Sequence, residues 1–190
     1  MKWRIILALT MGQLICPGLH AQQNKSQNQW IFHSYNLLGL LEGEAGSAFQ
    51  LQTVNGVQHG SWFTGLGVGI DNYQFRSVPL FLDIRKFFGK EPAPFFVYGD
   101  AGIQYPWVKS SQKMLYQSSF SNGFYADAGI GHLHKFGPGL ALSFSIGYTY
   151  KDATETSPSY ACPFAGPCYD NATSLSYELN RITLKIGIVF

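Results

Sequence analysis

The sequence predicts an all-β chain, an eight-stranded antiparallel transmembrane up-and-down β-barrel, and three observations carry that prediction. Only 13% of the residues are charged while 16% are aromatic; the charged share is about half the roughly 25% of soluble domains. Beyond the N-terminal segment, no uninterrupted apolar run approaches the ~20 residues that a membrane-spanning helix needs. Instead, short segments alternate apolar with small or polar residues at period two, the pattern of a strand whose two faces meet different surroundings. Mean hydropathy is correspondingly close to zero, at -0.01.

The N-terminus stands apart. Met1-Lys2-Trp3-Arg4 is basic, Ile5 to Ile15 is mostly apolar, and Gly18-Leu19-His20-Ala21 offers a cleavage site. Residues 1–21 therefore read as a secretory signal peptide, too short in its apolar part to be an anchor. A lipoprotein cysteine usually follows a small residue, whereas Ile15 precedes Cys16. Residues 22–29 form a short polar segment, and residues 30–190 the barrel domain.

Eight segments follow, over roughly 30–42, 46–57, 61–72, 78–88, 94–107, 119–134, 139–152 and 174–190. In the third, Trp62, Thr64, Leu66, Val68 and Ile70 alternate with Phe63, Gly65, Gly67, Gly69 and Asp71. The fourth sets Leu80, Leu82 and Ile84 against Phe81, Asp83 and Arg85. The seventh sets Leu140, Leu142, Phe144, Ile146, Tyr148 and Tyr150 against Ala141, Ser143, Ser145, Gly147 and Thr149. The last is the clearest: Ile182, Leu184, Ile186, Ile188 and Phe190 against Arg181, Thr183, Lys185, Gly187 and Val189. Alternation alone fits either a soluble sandwich or a barrel. In a barrel the apolar row faces lipid and the polar row faces inward.

The inward row then carries Asp83, Arg85, Asp100, Asp127, Arg181 and Lys185, which we expect to form a lumen network of carboxylates and cations. Left unpaired, such buried charges are costly. Tyr98-Gly99-Asp100-Ala101-Gly102-Ile103 is echoed by Tyr125-Ala126-Asp127-Ala128-Gly129-Ile130, two neighbouring strands filling one lumen.

The joins alternate in length. Gln58 to Gly60, Gly89 to Ala93 and Lys135 to Pro138 are compact; on the opposite side Val108 to Ser118 and Ala153 to Thr173 are longer, although Gly43 to Ala45 and Tyr73 to Ser77 are short. Short turns on the side of the termini and longer loops on the other are a barrel feature. Trp30, Trp62, Phe88, Phe95 and Phe190 fall toward the terminus side, and Tyr105, Trp107 and Tyr150 toward the loop side, as aromatic girdles do.

Cys162 and Cys168 flank Pro163, Gly166 and Pro167. In an oxidising compartment this spacing predicts a local disulfide; a metal site would need a second pair of ligands nearby. Asn171-Ala172-Thr173 matches a glycosylation acceptor, a short pattern that carries little weight by itself.

The amphipathic strands and the terminal Ile186-Gly187-Ile188-Val189-Phe190 resemble the OmpA/OmpX-like family of small bacterial outer-membrane β-barrels. The resemblance implies residence in the bacterial outer membrane among its lipids. It also implies recognition of the last strand by the barrel-insertion machinery, with Phe190 as the insertion signal. The 153–173 loop is then the candidate contact for an extracellular ligand. The expected role is non-enzymatic: envelope integrity or surface interaction, without cofactor or metal.

Two rivals have their own signatures. A lipid-modifying enzyme of the lipid A deacylase type needs a serine-histidine-acid constellation near the outer surface. Here His33, His59, His132 and His134 fall toward the terminus side. His132 and His134 share a strand face, but two ligands are too few for a metal. A narrow pore or transport protein is the other rival, and eight strands leave an interior just wide enough for side chains. Gly65-Leu66-Gly67-Val68-Gly69 lacks the strand-turn-helix setting of a dinucleotide site. No basic cluster points to nucleic acid.

Overall fold

Period-two segments of this length satisfy their backbone polar groups by pairing, and a closed ring of such pairs leaves no edge. The computed structural model shows such a ring. It describes residues 29–89, 93–107, 119–137, 139–161 and 169–190, with the backbone alone described at 158–161 and 169–171. The predicted signal peptide 1–21, Cys162 and Cys168 lie outside the described residues.

The strands are β1 (Trp30–Gly43), β2 (Gly46–His59), β3 (Trp62–Asp71), β4 (Ser77–Phe88), β5 (Phe95–Pro106), β6 (Ser119–Phe120), β7 (Gly123–Gly137), β8 (Leu140–Ala161) and β9 (Tyr169–Val189). All pairings are antiparallel, and eight strands close the ring in chain order with β6 outside it. Closure is made by β1 and β9, from Tyr35 opposite Val189 to Gly43 opposite Arg181. The ladder is extended past the last strand residue, because Phe190 and Ser34 exchange N–H···O bonds of 3.1 and 2.6 Å.

Tight turns on the terminus side use left-handed backbone at Gly60 (φ 58°) and Gly139 (φ 85°), where a side chain would be strained. The predicted Lys135–Pro138 turn is shorter than expected: β7 continues to Gly137 through a register irregularity between Lys135 and Gly137. The sixth predicted strand begins later, at Gly123, and Ser119–Phe120 pairs separately with β8.

The main departure lies between β8 and β9. Most of the predicted 153–173 loop is strand: the two continue pairing from Ala153 opposite Tyr177 to Ala161 opposite Tyr169. This hairpin runs beyond the ring, whose pairing ends at Tyr125–Lys151 on one side and Gly43–Arg181 on the other. In it, Tyr177 donates a 2.9 Å hydrogen bond to Glu155. Burial, and then Glu155, raise the Tyr177 phenol above its ordinary range.

The barrel turns its apolar rows outward. Leu66, Leu82, Ile130 and Leu184 are all more than half exposed, as are Phe49 and Ile182. Such a continuous apolar surface is what hydrocarbon, not water, accommodates. The inward rows are buried, and they include the aromatic residues Tyr35, Phe63, Phe81, Phe87, Phe96, Tyr98 and Tyr125.

Candidate functional site

The inside of the barrel is the part of this molecule that is chemically unusual. Eight formally charged side chains from the strands are buried there: Asp71, Asp83, Asp100 and Asp127, with Arg85, Lys151, Arg181 and Lys185. Four carboxylates face four cations, so among the described residues the interior charge is balanced. In a low-dielectric interior each of these charges needs a partner.

They group into two clusters. In the first, the register places Asp83 opposite Asp100 and Asp100 opposite Asp127, a row of carboxylates across β4, β5 and β7. Arg85, two residues along β4 and on the same face, clamps Asp83 through Nε (2.9 and 3.1 Å) and Nη2 (2.6 Å). Lys185 reaches Asp127 at 2.6 Å and Asp100 at 3.9 Å. Tyr98 also donates to Asp127, at 3.0 Å.

The second cluster is nearer the loop side. Asp71 at the end of β3 pairs with Arg181 and, at 3.1 Å, with Lys151. Lys151 also donates to Ser77 Oγ at 3.1 Å and to the Tyr73 carbonyl at 3.0 Å. Of the six residues singled out from sequence, the structure therefore brings Asp83, Arg85, Asp100, Asp127 and Lys185 together. It sends Arg181 to a different partner. Asp71 and Lys151, absent from that expectation, complete the balance. Their signal was the same as the others': each is in phase with an inward row.

Aromatic rings wall the charges in. The Arg85 guanidinium lies 3.9 Å from the Tyr35 ring centre and about 5.5 Å from those of Phe63 and Phe96 (5.6 and 5.4 Å). Stacking of this kind suits a weakly hydrated, planar cation. Lys151 sits 4.5 Å over Phe75, and Arg181 5.2 Å over Tyr73. Between the clusters, Gln52 and Gln50 donate to the Tyr125 hydroxyl at 2.8 and 3.3 Å.

Glycines make the crowding possible. A Cβ on Gly67 would strike the Phe81 ring, one on Gly131 the Phe96 ring, and one on Gly147 the Tyr98 hydroxyl. At the terminus side, a cavity of about 500 Å³ is lined by Ile31, Gln58, Phe87, Leu133 and Lys135.

The remaining sequence candidates lie elsewhere. His132 and His134 are on the outward phase of β7, with ring centres 4.8 Å from Phe95 and 4.9 Å from Phe136. His59 stacks on Trp30 at 4.7 Å. Among the described residues no three His, Cys, Asp or Glu side chains converge as a metal site. Phe190 is 56% exposed, at the end of the outward row of β9. Trp30, Trp62, Phe88 and Phe95 are exposed at the same end, and Tyr105 and Trp107 at the other. There Tyr148, hydrogen-bonded to Asn180 at 2.7 Å, is more exposed than the expected Tyr150.

No protein-family model matches the sequence, and no curated protein does either. Solved structures do. The barrel is similar to the crystal structure of Neisserial surface protein A (NspA), with a TM-score of 0.51 over 88% of this chain and 98% of that one, at 11% identity. A de novo designed transmembrane β-barrel aligns with a TM-score of 0.40 over 83% of this chain and 93% of the design, at 16% identity. The likeness to NspA is one of architecture: this chain has the fold of a transmembrane β-barrel.

Proposed function

We propose that the protein is a non-enzymatic barrel of the bacterial outer membrane, serving envelope integrity or surface interaction. The observation that carries this reading is the pairing of an apolar exterior with a filled, charge-balanced interior. The exterior suits lipid. The interior holds its charges in mutual contact, where a diffusion channel would leave them to water. What the molecule offers to other molecules is then its rim and the long β8–β9 hairpin, the candidate contact for an extracellular ligand. In this reading the last strand, ending on Phe190, is what the insertion machinery recognises.

Membrane fractionation combined with heat-modifiable gel migration tests it. The protein is expected in the outer-membrane fraction, with a compact band that shifts on boiling. Recovery of the chain as a water-soluble species would refute the reading. Planar-bilayer recordings separate plug from pore, and sustained unit conductance would favour the pore. Lipid A mass spectra with and without expression address the enzyme, and a changed acylation pattern would reverse that part.

A further inference from the structure

The charged side chains outside the buried network are unevenly distributed along the barrel. Among the described residues, Lys86 and Lys135 lie on the terminus side. Glu42, Glu44, Asp152, Glu155 and Glu178 lie on the loop side, with Arg76. One sector of the terminus side is built in a particular way. Cross-strand register aligns Trp30 with His59, His59 with Trp62, and Trp62 with Lys86, an outward row across β1, β2, β3 and β4.

Lys86 is held in that row. Its ammonium lies 4.4 Å over the Trp62 ring and donates to Ser61 Oγ at 2.7 Å. An ammonium has three donors, and none of the described ion pairs includes this one. A lysine on the lipid phase of a strand is costly at the bilayer midplane and nearly neutral at the interface. Trp30 and Trp62, both more than half exposed, mark that interface. At headgroup depth the complementary group is a phosphate diester, and an anionic headgroup such as that of phosphatidylglycerol lacks the ammonium that would compete with Lys86.

We propose that the Trp30–His59–Trp62–Lys86 row is a binding site for the phosphate of an anionic phospholipid on the terminus side of the membrane. The inference rests on the membrane-embedded reading proposed above. Lys86 supplies the charge, and the two indoles supply the wall against which the glycerol region packs.

The test uses the chain without residues 1–21 and with Trp107 replaced by Phe, so that Trp30 and Trp62 report. It is reconstituted in phosphatidylcholine vesicles containing brominated phosphatidylcholine or brominated phosphatidylglycerol, whose bromines quench nearby tryptophan. About five-fold enrichment of phosphatidylglycerol is expected, the effect of one cation at an anionic lipid surface. Lys86→Gln and Lys86→Met are expected to lose it and Lys86→Arg to keep it, with added inorganic phosphate without effect. Quenching by both lipids with no preference, or a preference that survives both neutral variants, overturns the site and leaves the membrane reading intact. Competition by inorganic phosphate overturns the lipid assignment. Absence of quenching by either lipid overturns the membrane reading and the site with it.

Discussion

Lys185 on β9 and Asp127 on β7 are joined at 2.6 Å across the intervening strand β8. The contact is permitted by what β8 places inward at that level, Ser145 opposite Lys185 and Gly147 beside it. Small residues on one strand thus let its two neighbours meet over it. This pair ties the last strand to the body of the barrel by a route that the backbone ladder does not provide.

Removing one partner of a buried pair leaves an uncompensated charge. Lys185→Met is therefore expected to lower barrel stability by about 3–5 kcal/mol, as read from urea unfolding in vesicles. Lys185→Met combined with Asp127→Asn should cost clearly less than the sum of the two single changes. Additive losses would show that the pair contributes no coupling.

Gly147 and Gly99 offer a matched contrast within one sheet. A side chain at Gly147 meets the Tyr98 hydroxyl, whereas one at Gly99 meets nothing within 4 Å. Gly147→Val should sharply reduce the heat-modifiable form, since overpacking costs about 1–3 kcal/mol or more and displaces the Tyr98–Asp127 bond. Gly99→Val should leave it near the wild-type amount. Equal yields from the two variants would contradict the packing described here.

Depth along the outward rows sets the cost of a charge. Leu66 lies midway along β3 and is 63% exposed. Leu66→Arg is expected to destabilise the barrel by about 2–4 kcal/mol, and Phe88→Arg near the rim by about 0–1 kcal/mol. Unfolding measurements in vesicles check both, and a rim substitution costing more than the central one would invert the proposed membrane placement.

Phe190 closes the outward row of β9, and its backbone is bonded to Ser34. Phe190→Asp keeps those backbone bonds while removing the aromatic side chain. Cells expressing it are expected to contain much less assembled barrel, while in-vitro refolding into detergent proceeds. Normal amounts in the outer membrane would end the proposed role in insertion. Loss of refolding as well would assign Phe190 to stability instead.

The architecture was legible because alternation is written locally. Ile182 to Phe190 and Trp62 to Asp71 separate their two faces residue by residue, and any barrel or sandwich must respect that phase. The hairpin beyond the ring was not legible for the same reason. Thr154, Glu155, Thr156 and Ser157 are polar on both faces, so no phase distinguishes strand from loop, and pairing with Thr173 to Ser176 decides the matter. Strand phase singles out six of the eight inward charges, and Asp71 and Lys151 carry the same phase without being among those six. Tertiary structure decided their partners. Arg181 and Asp71 are 110 positions apart, and strand stagger and tilt, not sequence proximity, set which inward residues share a level. Coulomb attraction in a low-dielectric interior then selects among the neighbours that closure has brought within reach.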